Sequence, residues 1–272
     1  MSKTIPIIIF IHGTLPPKAL LHVPVIKRFY ACPEGLVQLA ELPDCHTKNL
    51  LVSLCKKHPD TFQEEHCYTF GWSGFFNHTA RTEAALDLYR ALGELKRSYV
   101  LKGLEPSIHL ITHSHGGNVA LSLKKVAEQS HNRENIIIDR LILLACPVQL
   151  QTADCIQTPL FKQVYSIHSH HDILQVLDPQ GIHTFLEHLK HFGFEFTLSH
   201  LKELGPLFSG RHFPKNSVAK QLNVKYRHRE LFHIEFLLPP FMESLPSLIS
   251  TMDAQESFLD EIVHIFRPDT SQ

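Results

Sequence analysis

Near its centre the chain reads LITHSHGGNVA over residues 110–120, where an apolar run meets a serine and a helix-compatible segment follows at once. This pattern is typical of a nucleophile elbow, a sharp strand-to-helix turn that holds a serine hydroxyl above a sheet. The turn approaches the neighbouring strand closely, so the second position after the serine needs a minimal side chain, which Gly116 provides. The second position before the serine is usually glycine as well, and Thr112 departs from that pattern. Ser114 is therefore the predicted nucleophile.

Length, charge and cysteine content narrow the class of protein. A chain of 272 residues can form one large α/β domain with a well-buried core. Its formal net charge of -1 argues against a nucleic-acid partner, because such proteins usually carry a clear basic excess. The six cysteines are scattered and show no Cys-x-x-Cys spacing. They predict reduced thiols and a cytoplasmic location.

An apolar run at 5–11 superficially resembles a short signal sequence. It is rich in β-branched residues, lacks a small-residue cleavage site and continues directly into His12 and Gly13. We therefore interpret it as a buried strand. Apolar runs elsewhere fall short of the roughly 20 residues needed to span a bilayer, so we expect no integral membrane segment.

Strand-like runs alternate with helix-like ones, which predicts a mostly parallel sheet with helices on both faces. Strands are predicted at 4–11, 67–70, 108–112, 139–145, 163–168 and 222–226. Helices are predicted at 49–58, 79–99, 115–129, 182–190, 241–248 and 254–266. Two segments, 14–47 and 173–221, interrupt the alternation as cap-like insertions. We expect a single α/β domain over residues 1–272.

A serine nucleophile needs an acid that orients its base, and that acid is expected just past the strand at 163–168. Asp172 is the first choice there. Asp178 is the main alternative, although it precedes a proline and so is also typical of a turn. Asp154 lies earlier in the chain and is a weaker candidate.

The base that takes the serine proton is expected after the last strand. His233 lies a few residues past that strand and directly before the C-terminal helices. His228 is closer to the strand end and is more typical of a surface residue. His264 falls inside a predicted helix and is more typical of packing. His233 is therefore the predicted base.

The oxyanion that forms on a substrate carbonyl needs backbone N–H donors. The first strand ends in His12, Gly13 and Thr14, where glycine permits close backbone approach. We predict that the N–H groups of Thr14 and His115 form the oxyanion hole, the latter at a helix N-terminus. His12, Gly13 and Trp72 follow strands at the same edge and are predicted to contact substrate.

The order His-Gly, Ser, Asp, His, each after a strand, resembles that of α/β-hydrolases of the lipase and esterase kind. The chain is similar to small bacterial hydrolases with a T-H-S-H-G-G-N elbow and an upstream F-G-W-S-G segment, here Phe70–Gly74. The resemblance extends from Ile5 to about Leu248 and is weakest in the two insertions. It implies an α/β-hydrolase fold and cleavage of a carboxylic ester through an acyl-enzyme without a cofactor, with thioesterase, peptidase and acyltransferase activity as open alternatives. Apolar stretches in the two insertions favour lipid substrates and peripheral contact with lipid.

Two other interpretations compete with this one. Side chains of the type that bind metals occur at His113 and His115 and in the run 168–172, which favours a metal-dependent hydrolase. The H-x-H-x-D-H pattern of such enzymes would, however, need an aspartate where Gly117 stands, so we expect no metal. Alternatively, the fold serves as a catalytically inactive binding or effector protein.

Overall fold

A computed structural model describes residues 3–15, 32–130, 135–170, 172, 175, 209–214, 218–226, 229–254 and 262–266. Several predictions lie outside the described residues. These are Asp178, His171, His228, the helix at 182–190 and the greater part of the insertions, 16–31, 173–174 and 176–208.

The described residues form one sheet of nine strands. The strands are β1 Lys3–Ile11, β2 Gly35–Gln38, β3 Cys67–Gly71, β4 Leu104–His113, β5 Ile138–Leu144, β6 Phe161–His168, β7 Ala219–Tyr226, β8 Arg229–Glu230 and β9 Ile262–Phe266. Their order is β2-β3-β1-β4-β5-β6-β7-β8, and β9 pairs with β7. The central strands β3, β1, β4, β5, β6 and β7 are mutually parallel. Their carboxyl ends therefore meet at one edge.

The helices are α1 His46–Lys57, α2 His78–Leu101, α3 His115–Gln129 and α4 Pro239–Asp253. Alternate residues of β1 enter two separate cores, with Ile7 and Ile9 in one and Ile8 and Phe10 in the other. Helices α2 and α3 cover the first core, and α1 and α4 cover the second. Because both faces of the strands are buried, β1 is continuously apolar instead of alternating with polar residues. This confirms the predicted layered arrangement.

The predicted strands correspond to β1 and β3–β7, and four predicted helices correspond to α1–α4. Residues 255–261 of the helix predicted over 254–266 lie outside the described residues. The prediction is wrong at its C-terminal end, because Ile262–Phe266 forms β9, parallel to β7. Three of the five residues in this strand are β-branched, which favours an extended backbone. His264 therefore lies on a strand. Within the predicted insertion at 14–47, Gly35–Gln38 joins the sheet as β2, antiparallel to β3.

Among the described helices, none combines the length and the apolar character that crossing a bilayer requires.

Candidate active site

Ser114 occupies the turn between β4 and α3 in a strained conformation, with φ 52° and ψ -131°. Positive φ is uncommon for residues other than glycine and costs on the order of 1–3 kcal/mol. Two backbone hydrogen bonds stabilise the turn: the Ser114 N–H donates to the Leu144 carbonyl at 2.9 Å, and the Gly117 N–H donates to the Ser114 carbonyl at 3.0 Å. The Ser114 side chain does not cap the helix. The turn thus directs the hydroxyl away from the helix backbone.

The residues around the turn explain its close packing against β1. A Cβ atom at Gly116 would lie 2.5 Å from the carbonyl oxygens of both Ile11 and His12, so only glycine fits there. Thr112, the departure from the usual glycine, is fully buried, and its hydroxyl donates to the Ile142 carbonyl at 3.1 Å. The adjacent strand β5 therefore accommodates the threonine without disrupting the turn.

Asp172 and His233 form a hydrogen-bonded pair, with 2.7 Å between His233 Nδ1 and Asp172 Oδ2. Asp172 follows β6 and its side chain is 1% exposed, whereas His233 begins the short 3-10 helix His233–Leu237 and is 16% exposed. The second carboxylate oxygen accepts a hydrogen bond from the Gln175 N–H at 3.2 Å. Because a carboxylate only accepts, Nδ1 of His233 carries the proton, and Nε2 is left as the basic nitrogen.

His113 packs behind His233, with ring centroids 4.6 Å apart. Its Nε2–H donates to the His233 backbone carbonyl at 3.0 Å. Burial, with a smaller contribution from the nearby His233, holds the pKa of His113 well below its usual value. His113 is therefore a neutral side chain that positions the His233 backbone. From the sequence, His113 was considered only as a metal ligand. Its position directly before Ser114 could have indicated that it lies at the site.

The segment 12–14 is held from behind by Trp72. The Trp72 backbone N–H donates to His12 Nε2 at 3.1 Å, and its indole N–H donates to the His12 carbonyl at 2.9 Å. Since Nε2 accepts, the proton of the His12 ring is on Nδ1, which donates to the Gly13 carbonyl at 2.6 Å. Burial lowers the pKa of His12 to about 4. Both histidines beside Ser114 are thus uncharged near neutral pH.

One cavity collects most of the predicted site residues. It is lined by Phe10, His12, Gly13, Thr14, His46, Thr47, Leu50, His113, Ser114, His233 and Leu237. Asp172 lies behind His233 and contacts it directly. Within the described part of the chain, the Ser114 hydroxyl and the His233 ring form no hydrogen bond. Such contacts are often long in unliganded enzymes and tighten when substrate binds.

The other predicted residues lie outside the cavity lining. Trp72 is buried behind His12 and does not line the cavity. The His115 side chain is also buried, and its Nδ1 lies 3.3 Å from an Arg81 guanidinium nitrogen, while its backbone N–H belongs to the first turn of α3. Asp154 is exposed on the 3-10 helix Ala153–Ile156.

Metal-type ligands converge at one place among the described residues, at His168, His170 and His212. His113 and His115, which the metal alternative required, do not belong to this group. The triad-like residues and the metal-type ligands are therefore separate sets of side chains.

A mostly parallel sheet with helices on both faces and a serine in the strained turn after a central strand is the α/β-hydrolase fold. The fold class predicted from the sequence is confirmed. No protein-family model matches the chain, and no curated protein sequence matches it.

Solved structures similar to this chain include a phospholipase and several esterases. Phospholipase PlaB from Legionella pneumophila, in complex with thio-NAD, matches over 52% of this chain and 25% of its own, at 17% identity and a TM-score of 0.31. A hyperthermophilic esterase from the archaeon Pyrobaculum calidifontis matches over 93% of this chain and 75% of its own, at 10% identity and a TM-score of 0.43. The cell wall degrading esterase LipA from Xanthomonas oryzae matches over 97% and 74%, at 12% identity and a TM-score of 0.36. The chain thus spans a quarter of the length of PlaB, and these distant matches carry no information about activity.

Proposed function

We propose that this protein is a lipase- or esterase-like serine hydrolase that cleaves carboxylic esters. Ser114 is the nucleophile, His233 the base and Asp172 the acid that orients the base. The proposal depends above all on the 2.7 Å hydrogen bond between His233 and Asp172, since this same histidine lines one cavity with a serine in a strained elbow. A scaffold without catalysis would have no need for a strained serine beside an oriented imidazole.

In the proposed reaction, His233 Nε2 accepts the proton of the Ser114 hydroxyl as Oγ attacks the ester carbonyl carbon. The tetrahedral intermediate collapses, and the protonated imidazole gives its proton to the leaving alkoxide, which departs as the alcohol. Water then attacks the acyl-enzyme while Nε2 takes its proton. Return of that proton to Oγ releases the carboxylic acid. Asp172 holds the imidazole in the required tautomer and stabilises its cationic form.

The charge that develops on the carbonyl oxygen is held by the N–H groups of Thr14 and His115. Thr14 lines the cavity, and His115 begins helix α3, whose first-turn N–H groups favour an anion. Gly13 allows the loop after β1 to approach Ser114, because a Cβ atom at position 13 would lie 2.7 Å from the Cβ of Ser114. Trp72 stabilises this loop from behind through its two hydrogen bonds to His12.

The surroundings of the base favour an apolar ester or a lipid as substrate. Phe232 and Ile234 flank His233 in sequence and are 62% and 45% exposed, and Leu238, five residues later, is 40% exposed. Phe10, Leu50 and Leu237 add apolar surface inside the cavity. Exposed apolar side chains close to a site residue favour contact with lipid or apolar ligands. We therefore include peripheral contact with lipid in the proposal.

The remaining assignments follow from composition. The formal net charge of -1 gives no support to a nucleic-acid partner, and the scattered cysteines favour a cytoplasmic location with reduced thiols. We propose no cofactor for the hydrolytic reaction, because the triad supplies nucleophile, base and oxyanion donors by itself.

The test combines a fluorophosphonate probe with a chain-length series of nitrophenyl esters. We expect covalent labelling and ester hydrolysis in the native chain, and loss of both in Ser114→Ala. Ser73→Ala is the matched control, because Ser73 is an exposed serine at the same edge of the sheet. EDTA should leave hydrolysis intact. A folded protein that is neither labelled nor active on any ester would overturn the proposal, and activity lost to EDTA would favour the metal-dependent alternative.

A further inference from the structure

Three histidines converge at the carboxyl end of β6, outside the proposed triad. His168 ends β6, His170 follows two residues later, and His212 comes from the segment 209–214. One ring nitrogen from each lies within 4.8 Å of the other two. The rings of His168 and His212 are 4.5 Å apart between centroids and nearly perpendicular. These side chains come from chain segments more than 40 residues apart.

We propose that His168, His170 and His212 bind a divalent transition metal ion of the zinc class. Imidazole nitrogen is a preferred ligand of Zn²⁺, at metal–nitrogen distances of about 2.0–2.1 Å. Two ligands of one ion are then no more than about 4.2 Å apart, so small rotations bring the three nitrogens into range. His170 and His212 are exposed and can adjust, whereas His168 is fully buried and fixes one ligand. Water would complete a tetrahedral site.

A buried amide beside the cluster supports this assignment. Asn223 on β7 is fully buried and pairs in register with His168, and its Nδ2 lies 3.2 Å from His170 Nδ1. Its Oδ1 is buried and accepts no hydrogen bond in the described part of the chain. If the amide turns over, Oδ1 accepts a hydrogen bond from the Nδ1–H of His170, and Nε2 is left as the metal-binding nitrogen. Ligand histidines are commonly oriented by this kind of hydrogen bond from the non-coordinating nitrogen.

The backbone around the ligands is also held in place. The Glu230 carboxylate accepts hydrogen bonds from the Ser169 hydroxyl at 2.9 Å and from the His170 N–H at 3.1 Å. Val148 and Gly210 exchange two backbone hydrogen bonds of 2.8 Å, which fix the segment that carries His212. The ligand-bearing segments are thus positioned before any metal binds.

The site would join the segment 209–214 to the end of β6. Arg211, next to His212, already donates to the Asp172 carbonyl at 3.1 Å. A metal ion that binds the folded chain and not the unfolded one raises stability in proportion to the logarithm of its concentration above Kd. We therefore expect the metal to stabilise the fold, and this effect does not require that the protein be a hydrolase.

The experiment uses the full chain, stripped with EDTA and then titrated with Zn²⁺ and, separately, Co²⁺. We expect one tight equivalent of Zn²⁺ by calorimetry, a visible tetrahedral Co²⁺ spectrum, and a rise in Tm that EDTA reverses. His170→Gln and His212→Gln should each weaken Zn²⁺ binding at least 10-fold, since losing even an outer partner of a ligand costs 10–100-fold. These exposed positions are chosen because replacing the fully buried His168 would also change the packing around it.

His78→Gln is the matched control, because it removes a histidine at the start of α2 and should leave Zn²⁺ binding unchanged. Asn223→Asp retains an acceptor for His170 and should bind Zn²⁺ at least as well as the native chain. Zn²⁺ binding that is absent, or that His170→Gln and His212→Gln leave unchanged, would overturn the proposal, because the chain has 21 histidines that can bind metal adventitiously.

Discussion

Two groups of histidines lie at the carboxyl edge of the sheet and differ in the groups that their ring nitrogens meet. The inner pair, His12 and His113, is 7% and 6% exposed, and both residues donate to backbone carbonyls. The outer cluster, His168, His170 and His212, directs ring nitrogens at one another, and two of its members are exposed. Burial lowers the pKa of both inner histidines. The inner pair is suited to holding the backbone as uncharged hydrogen-bond donors, and the outer cluster is suited to binding a metal ion.

The comparison shows why the number of histidines carries little information about this protein. What a histidine can do depends on how deeply it is buried and on which groups its two nitrogens meet. The base of the proposed triad, His233, is intermediate, with one nitrogen fixed by Asp172 and a partly exposed ring. The proposed triad with its inner histidines and the outer cluster should therefore respond independently to mutation.

Ser114→Ala should have the largest effect. We expect ester hydrolysis to fall by about 10³–10⁶-fold, since removal of a triad nucleophile leaves only the oxyanion hole and substrate binding. Zn²⁺ binding to the outer cluster should not change. Steady-state kinetics and calorimetry on the same preparation check both halves. Hydrolysis at the native rate would show that another group is the nucleophile.

Asp172→Asn should lower kcat by about 10⁴-fold, because an amide cannot hold the same tautomer of His233. The substitution is nearly isosteric, and the hydrogen bond from the Gln175 N–H can persist. Asp154→Asn is the matched control, since Asp154 is exposed and should leave kcat unchanged. If instead Asp172→Asn has native kcat, the orienting acid is a different residue, with Asp178 the first to test.

The sequence alone predicted the parts of the molecule that depend on local pattern. Strand β1 was recognisable because a strand buried on both faces is continuously apolar, and the tight turn after Ser114 because close backbone approach requires Gly116. The placement of Asp172 and His233 after successive strands followed from the rule that parallel strands end at one edge. These two residues are in contact in the structure, while their catalytic roles stay a prediction.

Other features depend on tertiary contacts and could not be predicted. Strand β9 was predicted as a helix because apolar spacing in a short segment fits both periods, and only pairing with β7 makes it a strand. Strand β2 has four residues, too few to show a period. Trp72 was predicted to contact substrate, but its two hydrogen bonds to His12 bring it behind the loop. No local pattern indicates that His212 would join His168.

Glycine substitutions compare the packing of the two regions. Gly116→Ala would place a Cβ 2.5 Å from two carbonyl oxygens of β1 and the loop after it, so we expect a loss of about 1–3 kcal/mol in the free energy of unfolding and reduced hydrolysis. Gly210→Ala, near the outer cluster, meets nothing closer than 3.7 Å and should be close to neutral. Urea denaturation measures both. Equal effects would mean that the elbow is no more tightly packed than the outer segment.

The smallest expected effect is the acid sensitivity that the inner pair imposes. His12 has a pKa of about 4 in the folded chain against 6.5 for an ordinary histidine, so the unfolded chain binds its proton first as the pH falls. Above pH 6.5 His12 is neutral in both states and costs no stability. As the pH falls from 6.5 towards 4, the free energy of unfolding decreases, by about 1–2 kcal/mol at pH 5. In His12→Gln, urea unfolding at pH 7, 6 and 5 should show a shallower decline, although the variant is less stable at pH 7 because the ring no longer accepts from the Trp72 N–H or donates to the Gly13 carbonyl. Parallel slopes for His12→Gln and the native chain would mean that folding does not change the pKa of His12, and the assignment of His12 as a neutral supporting side chain would fail.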